Sequence, residues 1–344
     1  MDVPSGPRVA SMNPHRIRAF APGRVNLIGE HTDYNLGLCL PFAVDRGVAV
    51  TAELRDGGEI AAPGLPDDDP YLRGAVTELR AAGVDLPGCT ITVESDLPRE
   101  AGLSSSAALC ISLVLALCAA AGAERPAPVE LARLCQRIEN EYTGVETGLL
   151  DQLASILGEE GRAVRLDMRT LESRPVEVDL GDHVLAVLDS GSSRSLAESG
   201  YNERRAECRQ AAELLGVESL RDATGWVGLP DPLDRRVRHV VTENERVEAA
   251  VEALERADAG VLGELLDGSH RSLRDDYEVS VPEVERTVDA CTEAGALGAR
   301  IMGGGFGGSV LALFPPEARP PSGALPVAPS RGARLLPPPR PARP

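Results

Sequence analysis

Apolar residues recur along the chain with two different periods, and each period predicts one kind of element. In residues 89–97, CTITVESDL, apolar and polar residues alternate, which is typical of a strand with one buried face. In residues 71–83, YLRGAVTELRAAG, apolar residues recur at helical spacing and stop at a glycine. The chain is therefore predicted to mix helices and strands. Further strands are predicted within residues 17–50, 161–178, 183–191 and 297–314, and further helices within 128–144, 148–158 and 196–272.

One segment, from Ala101 to Ala123, contains no charged residue and is long enough to span a bilayer. It opens with Ala-Gly-Leu-Ser-Ser-Ser and is rich in alanine and serine, which is untypical of a membrane span. We therefore predict a buried helix that is capped by a serine, and no contact with a membrane.

The two ends of the chain differ in composition from the rest. Residues 315–344 contain 11 of the 27 prolines and show no alternation, so we expect a disordered or polyproline-like tail. Residues 1–16 are also expected to be disordered. The 344 residues are enough for two cores. We predict an N-terminal domain over residues 17–170 and a C-terminal domain over residues 171–314.

The charge and the cysteines exclude several classes of protein. A formal net charge of −18 at pH 7, without a basic patch, argues against nucleic acid as a partner. The seven cysteines are odd in number and form no C-x-x-C pair, so neither a disulfide framework nor a zinc site is indicated. The first residues lack the apolar stretch of a signal peptide, and we expect a cytoplasmic protein. No apolar stripe stands out, which favours a monomer.

Three glycine-containing segments concentrate the residues that can carry chemistry. GRVNLIGEHTDYN, at residues 23–35, combines a cation, amides, carboxylates and an imidazole. A solvated charged face spreads its charges at helical spacing, so this mixture indicates a binding site. GLSSSAAL, at residues 102–109, follows a predicted strand and opens the buried helix. GGGFGG, at residues 303–308, would let backbone approach a ligand or another loop closely, although a flexible hairpin is the alternative.

The second segment has the elements of an anion site. N–H groups at a helix N-terminus are unpaired and the helix end is electropositive, while serine hydroxyls add donors and an oxygen ligand for Mg²⁺. A serine-capped helix explains the same residues equally well, and no Gly-Lys-Ser/Thr follows as in a Walker A loop. Glu139 and Asp151 add carboxylates on either side of a glycine break, where they could hold Mg²⁺ and receive a proton. Two acids at helix termini are common, however, and taken alone the pair favours that plainer explanation.

Together the three segments resemble, in order and spacing, the three motifs of the GHMP small-molecule kinases, and the first has the galactokinase form. Shorter matches lie between them, including ENEYTGVETGLLDQ, SLAESGYNERRAEC and VRHVVTENERV. The resemblance covers residues 21–314. It implies an α+β, two-domain GHMP kinase fold with a ribosomal S5 domain 2-like N-terminal domain and a ferredoxin-like C-terminal domain.

The resemblance also implies a sugar-binding site. Glu30, His31 and Asp33 would bind sugar hydroxyls, with help from Tyr201 and the backbone at Gly148. A fixed array of polar groups rejects an epimer because the wrong sugar leaves some of those buried groups unpaired.

Catalytic and nucleotide-binding residues follow from the same resemblance. Asp151 matches the catalytic aspartate, and Arg24 would lie beside it, favour the ionised carboxylate and stabilise the transferring phosphoryl group. Asp151 would either remove the proton from the sugar hydroxyl or orient that hydroxyl, and the sequence supports both. Ser106 and Glu139 match the Mg²⁺ ligands. The ATP phosphates would be bound by Gly102, Leu103, Ser104, Ser105, Ser106 and Ala107.

The implied activity is ATP- and Mg²⁺-dependent phosphorylation of the anomeric hydroxyl of a monosaccharide, with D-galactose favoured. N-acetylgalactosamine, arabinose or galacturonate would use much of the same template. A catalytically weak sugar and nucleotide sensor is the alternative of another class. Two features favour the sensor: Glu100 stands where the family usually has a glycine, and the family's terminal elements are missing, which would leave a sheet edge uncovered. Mevalonate and homoserine are disfavoured because GEHTDYN is the sugar-binding form.

Overall fold

The computed structural model describes residues 15–98, 102–144, 148–192 and 197–337. The expectations for Glu100, for residues 1–14 and for residues 338–344 lie outside the described residues. The strands are β1 (Arg16–Asn26), β2 (Leu38–Cys39), β3 (Pro41–Leu54), β4 (Ile60–Ala61), β5 (Cys89–Ser95), β6 (Arg162–Asp167), β7 (Ser173–Glu177), β8 (Val184–Asp189), β9 (Gly298–Met302), β10 (Ser309–Phe314), β11 (Leu325–Val327) and β12 (Arg334–Leu336). The α-helices are α1 (Pro70–Ala81), α2 (Ser105–Ala120), α3 (Pro128–Ile138), α4 (Leu150–Leu157), α5 (Ala197–Leu215), α6 (Leu233–Glu255), α7 (Ala259–Asp275) and α8 (Pro282–Glu293).

Two sheets form the N-terminal half of the molecule. The larger has the strand order β12-β1-β3-β5-β4, in which only the β4–β5 pair is parallel among the described strands. The smaller, β2-β6-β7, is antiparallel and contacts β3 through β6. Strand β1 is partly exposed where it begins and fully buried toward Asn26. The first glycine-containing segment, residues 23–35, therefore begins within the buried end of β1 and continues beyond it.

Helix α2 lies at the centre of the N-terminal core, as its uncharged sequence predicts. Residues 110–118 are all buried, and the helix packs against β1, β3 and α1. The prediction of a serine cap is wrong. Ser104 occupies the N-cap position, but its hydroxyl donates to the Asp151 carboxylate instead of accepting from a helix N–H. In the described part of the chain, no helix is long and apolar enough to cross a membrane.

The C-terminal half carries an antiparallel sheet with the order β11-β8-β10-β9. Helices α7 and α8 pack on β9 and β10, and α6 contacts both α5 and α7. Helix α6 also contacts β2 and β7 of the N-terminal half. It therefore spans the junction of the two halves, next to the first glycine-containing segment.

The predicted domain boundary at residues 170 and 171 falls inside one hairpin. Strands β6 and β7 are antiparallel neighbours in which Leu166 pairs with Ser173. Val176 of β7 is buried in the same core as β1 and α2. Strand β7 therefore belongs to a sheet of the N-terminal half, because its strand pairing is made there.

The prediction of a disordered tail is wrong for residues 315–337. Strand β11 pairs with β8, and β12 pairs with β1, so the tail covers the edges that we expected to be open. Val327 and Ala333 are buried, which shows that short apolar stretches between prolines supply enough contact. Pro326 is tolerated because β11 lies at a sheet edge, where a strand residue can lack an N–H donor.

Candidate active site

Asp151 lies where helix α4 meets the first and second glycine-containing segments. It is in the first turn of α4, and its Oδ1 accepts a hydrogen bond from Arg24 Nε at 2.8 Å. Its Oδ2 accepts from the Ser104 hydroxyl. Arg24 Nη1 also donates to the Gly102 carbonyl at 2.6 Å. The Asp151 side chain is 31% exposed and that of Arg24 is 8% exposed, so a ligand can approach the carboxylate while the cation stays buried.

Asp33 and Gly148 are in direct contact close to this ion pair. A Cβ at Gly148 would lie 1.9 Å from Asp33 Oδ2, so the position has no room for a side chain. Removal from water raises the pKa of the Asp33 carboxyl to about 6, and the nearby carboxylates of Asp151 and Glu30 add to that increase. Asp33 is therefore a hydrogen-bonding group whose charge changes just below neutral pH.

His31 is a buried, neutral imidazole. Its backbone is in the left-handed region, with φ of 60°. Burial lowers the pKa of the ring to about 3, and the neighbouring His239 and Arg204 lower it further. Its Nδ1 lies 2.9 Å from the Tyr34 hydroxyl. A neutral imidazole has one donor and one acceptor, which suits recognition of a hydroxyl group.

Three tyrosines surround the His31 ring. The ring centroids of Tyr277, Tyr201 and Tyr34 lie 4.7, 5.5 and 5.8 Å from that of His31. The hydroxyls of Tyr34 and Tyr277 are 2.9 Å apart and hydrogen-bonded to each other. Tyr201 is one of the site residues predicted from the sequence, whereas Tyr34 and Tyr277 are not. Tyr34 adjoins Asp33 in the first motif, and that adjacency is the signal that could have found it.

Glu30 joins the first glycine-containing segment to the third. Its Oε1 accepts from Arg300 Nη2 at 2.9 Å and from the Gly303 N–H at 2.7 Å. Arg300 is fully buried and also donates to the Asn26 and Leu27 carbonyls. The glycine-rich turn thus approaches another loop, one of the two readings that its composition allows. Arg300 is a further site residue that the sequence analysis misses.

The N-terminus of α2 opens next to Asp151. Ser105 is exposed, Ser104 and Ser106 are half-buried, and no side chain of the described residues caps the helix. The N–H groups of the first turn are thus available to a ligand, and the positive end of the helix dipole favours an anion there. The loop is anchored by the Arg24 N–H, which donates to the Leu103 carbonyl at 3.1 Å.

Tyr71 is near both Ser106 and Glu139. The Tyr71 hydroxyl is hydrogen-bonded to Ser106, and burial together with the Glu139 carboxylate raises its pKa to about 12. Glu139 is buried and accepts from Gln152 Nε2. Gln152 Oε1 is a buried oxygen without a hydrogen-bond partner among the described residues. One carboxylate, one hydroxyl and a free amide oxygen fit Mg²⁺, which takes few protein ligands and keeps water and phosphate oxygens.

Known family models match the regions of the chain that contain the three glycine-containing segments. The model for the N-terminal domain of GHMP kinases matches residues 70–159, and the model for their C-terminal domain matches residues 250–327. The galactokinase galactose-binding signature matches residues 10–54. The C-terminal match includes β11, in agreement with the structured tail.

Two relatives and one solved structure cover most of the chain. The galactokinase of Mycobacterium tuberculosis is 43% identical over 322 residues, which are 86% of this chain and 88% of the relative. The galactokinase of Streptomyces coelicolor is 43% identical over 324 residues, 85% of this chain and 83% of that protein. The crystal structure of Lactococcus lactis galactokinase complexed with galactose is 32% identical, with a TM-score of 0.85, and covers 93% of this chain and 95% of its own.

Proposed function

The chain belongs to the galactokinase family of the GHMP kinases, and we propose that it transfers the γ-phosphoryl group of ATP to the anomeric hydroxyl of D-galactose. The observation that carries this proposal is the position of Asp151. The carboxylate is bonded to Arg24 and Ser104 and lies between the Asp33 side chain and the N-terminus of α2. A sugar on one side and a triphosphate on the other would meet at this carboxylate.

The sugar side is a set of polar groups held in fixed positions. Glu30, His31 and Asp33 would bind galactose hydroxyls, the Tyr201 ring would line the pocket, and the missing side chain at Gly148 leaves room for Asp33. An epimer would leave at least one of these groups desolvated and unpaired, and such an omission costs about 1–3 kcal/mol. This is the physical basis on which galactose would be selected.

The nucleotide side would use backbone N–H groups. Residues 102–107 would bind the ATP phosphates at the positive end of α2. Ser106 and Glu139 would hold Mg²⁺, which supplies charge neutralisation on the phosphates. Gln152 would orient the Glu139 carboxylate through its amide N–H.

Asp151 would accept the proton of the anomeric hydroxyl. The Arg24 guanidinium and the Ser104 hydroxyl both donate hydrogen bonds to this carboxylate and fix its orientation. Arg24 would also stabilise negative charge on the transferring group. Positioning of the hydroxyl for in-line attack is the second contribution of the same carboxylate.

The direct test is ADP release by the purified protein with MgATP and a panel of sugars. We expect turnover with galactose, and little with glucose, N-acetylgalactosamine, arabinose, galacturonate or mevalonate. Faster turnover with another sugar would show that this sugar, and not galactose, is the preferred substrate. Binding of galactose and ATP without turnover would instead support a sensor. One of the two features that favoured a sensor, the uncovered sheet edge, is absent from the described residues because β11 and β12 pair there.

A further inference from the structure

Helix α6 holds the backbone of residues 29–38, the segment that we propose to bind the sugar. His239 and Glu243 lie four positions apart and share one face of the helix, and Asn244 adjoins Glu243. All three hydrogen-bond to main-chain groups of residues 29–38. Helix α6 belongs to the C-terminal half, whereas that segment follows β1 of the N-terminal half.

Glu243 is the centre of this contact. Its side chain is fully buried, and its Oε1 accepts from the Gly29 N–H at 3.0 Å and from the Ser269 hydroxyl at 2.7 Å. The Glu30 N–H lies 3.4 Å from the same oxygen. Its Oε2 accepts from Arg246 Nε at 2.7 Å. A buried carboxylate with these partners stays ionised and holds two successive N–H groups in place.

His239 holds the next main-chain group. It is fully buried, and its Nε2 lies 3.1 Å from the Glu30 carbonyl, which can only accept. Nε2 therefore carries the proton, and Nδ1 lies 2.9 Å from the Ser272 hydroxyl. Asn244 completes the set because its Oδ1 accepts from the Leu38 N–H at 2.7 Å.

The segment needs such support because its backbone is unusual. Gly29 has φ of 97°, and a Cβ there would lie 2.6 Å from the Leu38 carbonyl oxygen. His31 and Leu36 also have positive φ, of 60° and 53°. Non-glycine residues adopt this region at a cost, and they persist in it only where surrounding contacts hold them.

We propose that His239, Glu243 and Asn244 are positioning residues for sugar recognition: they hold residues 29–38 in the conformation that directs Glu30, His31 and Asp33 at the substrate. The inference rests on the proposed function of that segment. It assigns part of the sugar specificity to helix α6, which acts through the main chain of residues 29–38.

The test compares His239→Leu with His239→Gln and measures galactose and ATP separately. The Gln amide places an N–H donor near the position of Nε2, whereas Leu has none. We expect His239→Leu to raise the galactose KM about tenfold, the effect of losing one buried hydrogen bond, while the ATP KM stays within about twofold. His239→Gln should restore most of the galactose affinity. Galactose binding to the nucleotide-free variants, measured by calorimetry, should change in parallel.

Glu243→Gln gives a second measurement, and Glu245→Gln is its control because Glu245 is exposed on the same helix. We expect an increase in the galactose KM for the first and none for the second. Galactose and ATP affinities that fall together, or equal values for the Leu and Gln variants at position 239, would overturn the inference and leave a merely structural role. Failure of the wild-type protein to phosphorylate galactose would instead refute the proposed function.

Discussion

The sugar-binding segment and the N-terminus of α2 are built in opposite ways. Glu30 and His31 are 5% and 4% exposed, and contacts from α6, β9 and the glycine-rich turn hold the segment from several sides. At α2, Ser105 is exposed and the helix N–H groups are left without a side-chain cap among the described residues. The first segment is held in place by protein contacts, whereas the second presents N–H donors that no side chain of the described residues caps.

The difference follows from what each ligand demands. Epimers differ only in the direction of a hydroxyl, so discrimination requires polar groups that cannot move to accommodate the wrong one. A phosphate accepts hydrogen bonds from any suitably placed N–H and is attracted by the helix dipole. We therefore propose that selectivity is located in the buried segment and that the sugar and nucleotide sites meet at Asp151.

The largest effect is expected where the two sites meet. Asp151→Asn removes the carboxylate charge but keeps the shape, and kcat should fall by about 10²–10⁴-fold, the usual contribution of a positioned acid or base. Galactose and ATP binding should change little. Steady-state kinetics and calorimetry would measure these quantities, with Asp45→Asn as an exposed control. Full activity of the Asp151 variant would refute the assigned role.

A change confined to the sugar site should separate the two affinities. Gly148→Ala places a methyl group in the space of the Asp33 carboxylate, and we expect the galactose KM to rise by about 10–100-fold, the cost of displacing one charged group. The ATP KM should stay near its wild-type value. Gly225→Ala, in open space, is the control. An unchanged galactose KM in the Gly148 variant would show that Asp33 does not bind the sugar.

A lower pH should also raise the galactose KM. The pKa of Asp33 is raised to about 6 by its removal from water, so the carboxyl gains a proton as the pH falls through that value. If the ionised form binds galactose, the KM should rise about tenfold between pH 7 and pH 5. His31, with a pKa of about 3, stays neutral over this interval. Asp33→Asn should abolish this pH dependence, and its persistence would assign it to another group.

The smallest effect concerns the support of α4. The N–H of Ala333 donates to the Ser155 carbonyl at 2.8 Å, and that of Gly332 to the Gly158 carbonyl at 2.7 Å, so the tail satisfies carbonyls at the C-terminal end of α4. Ala333→Pro removes one donor and should lower Tm by roughly 1–2 °C, corresponding to about 1 kcal/mol. Ser322→Pro, at an exposed turn, is the control for thermal unfolding. Equal Tm values would show that the tail does not support the helix.

Local patterns predict the elements well where their period is clear. The uncharged run gives α2, and the alternating CTITVES gives β5. The tail was mispredicted because proline content outweighed short apolar stretches such as LPV and RLL, whose pairing partners, β8 and β1, are far away in the sequence. A local sequence pattern cannot show that a distant strand has an unpaired edge with which such a stretch can pair.

The same limit applies to the site. Arg24 and Asp151 are 127 residues apart, and only the resemblance to a known family brought them together before the structure did. Arg300, His239 and Glu243 act on main-chain groups or on another site side chain, and their spacing carries no signature of a ligand. Residues that position a site without contacting the ligand are therefore recognised from their contacts in the folded structure.

The most direct test of a preformed sugar site is calorimetry on the protein without nucleotide. Galactose should bind on its own, and its 4-epimer glucose should bind at least about tenfold more weakly, because one buried polar group is left unpaired. Addition of ATP should then change the galactose affinity only modestly. If neither sugar binds until ATP is present, or if both bind equally, the segment from Gly29 to Leu38 is not the preformed selectivity element described above.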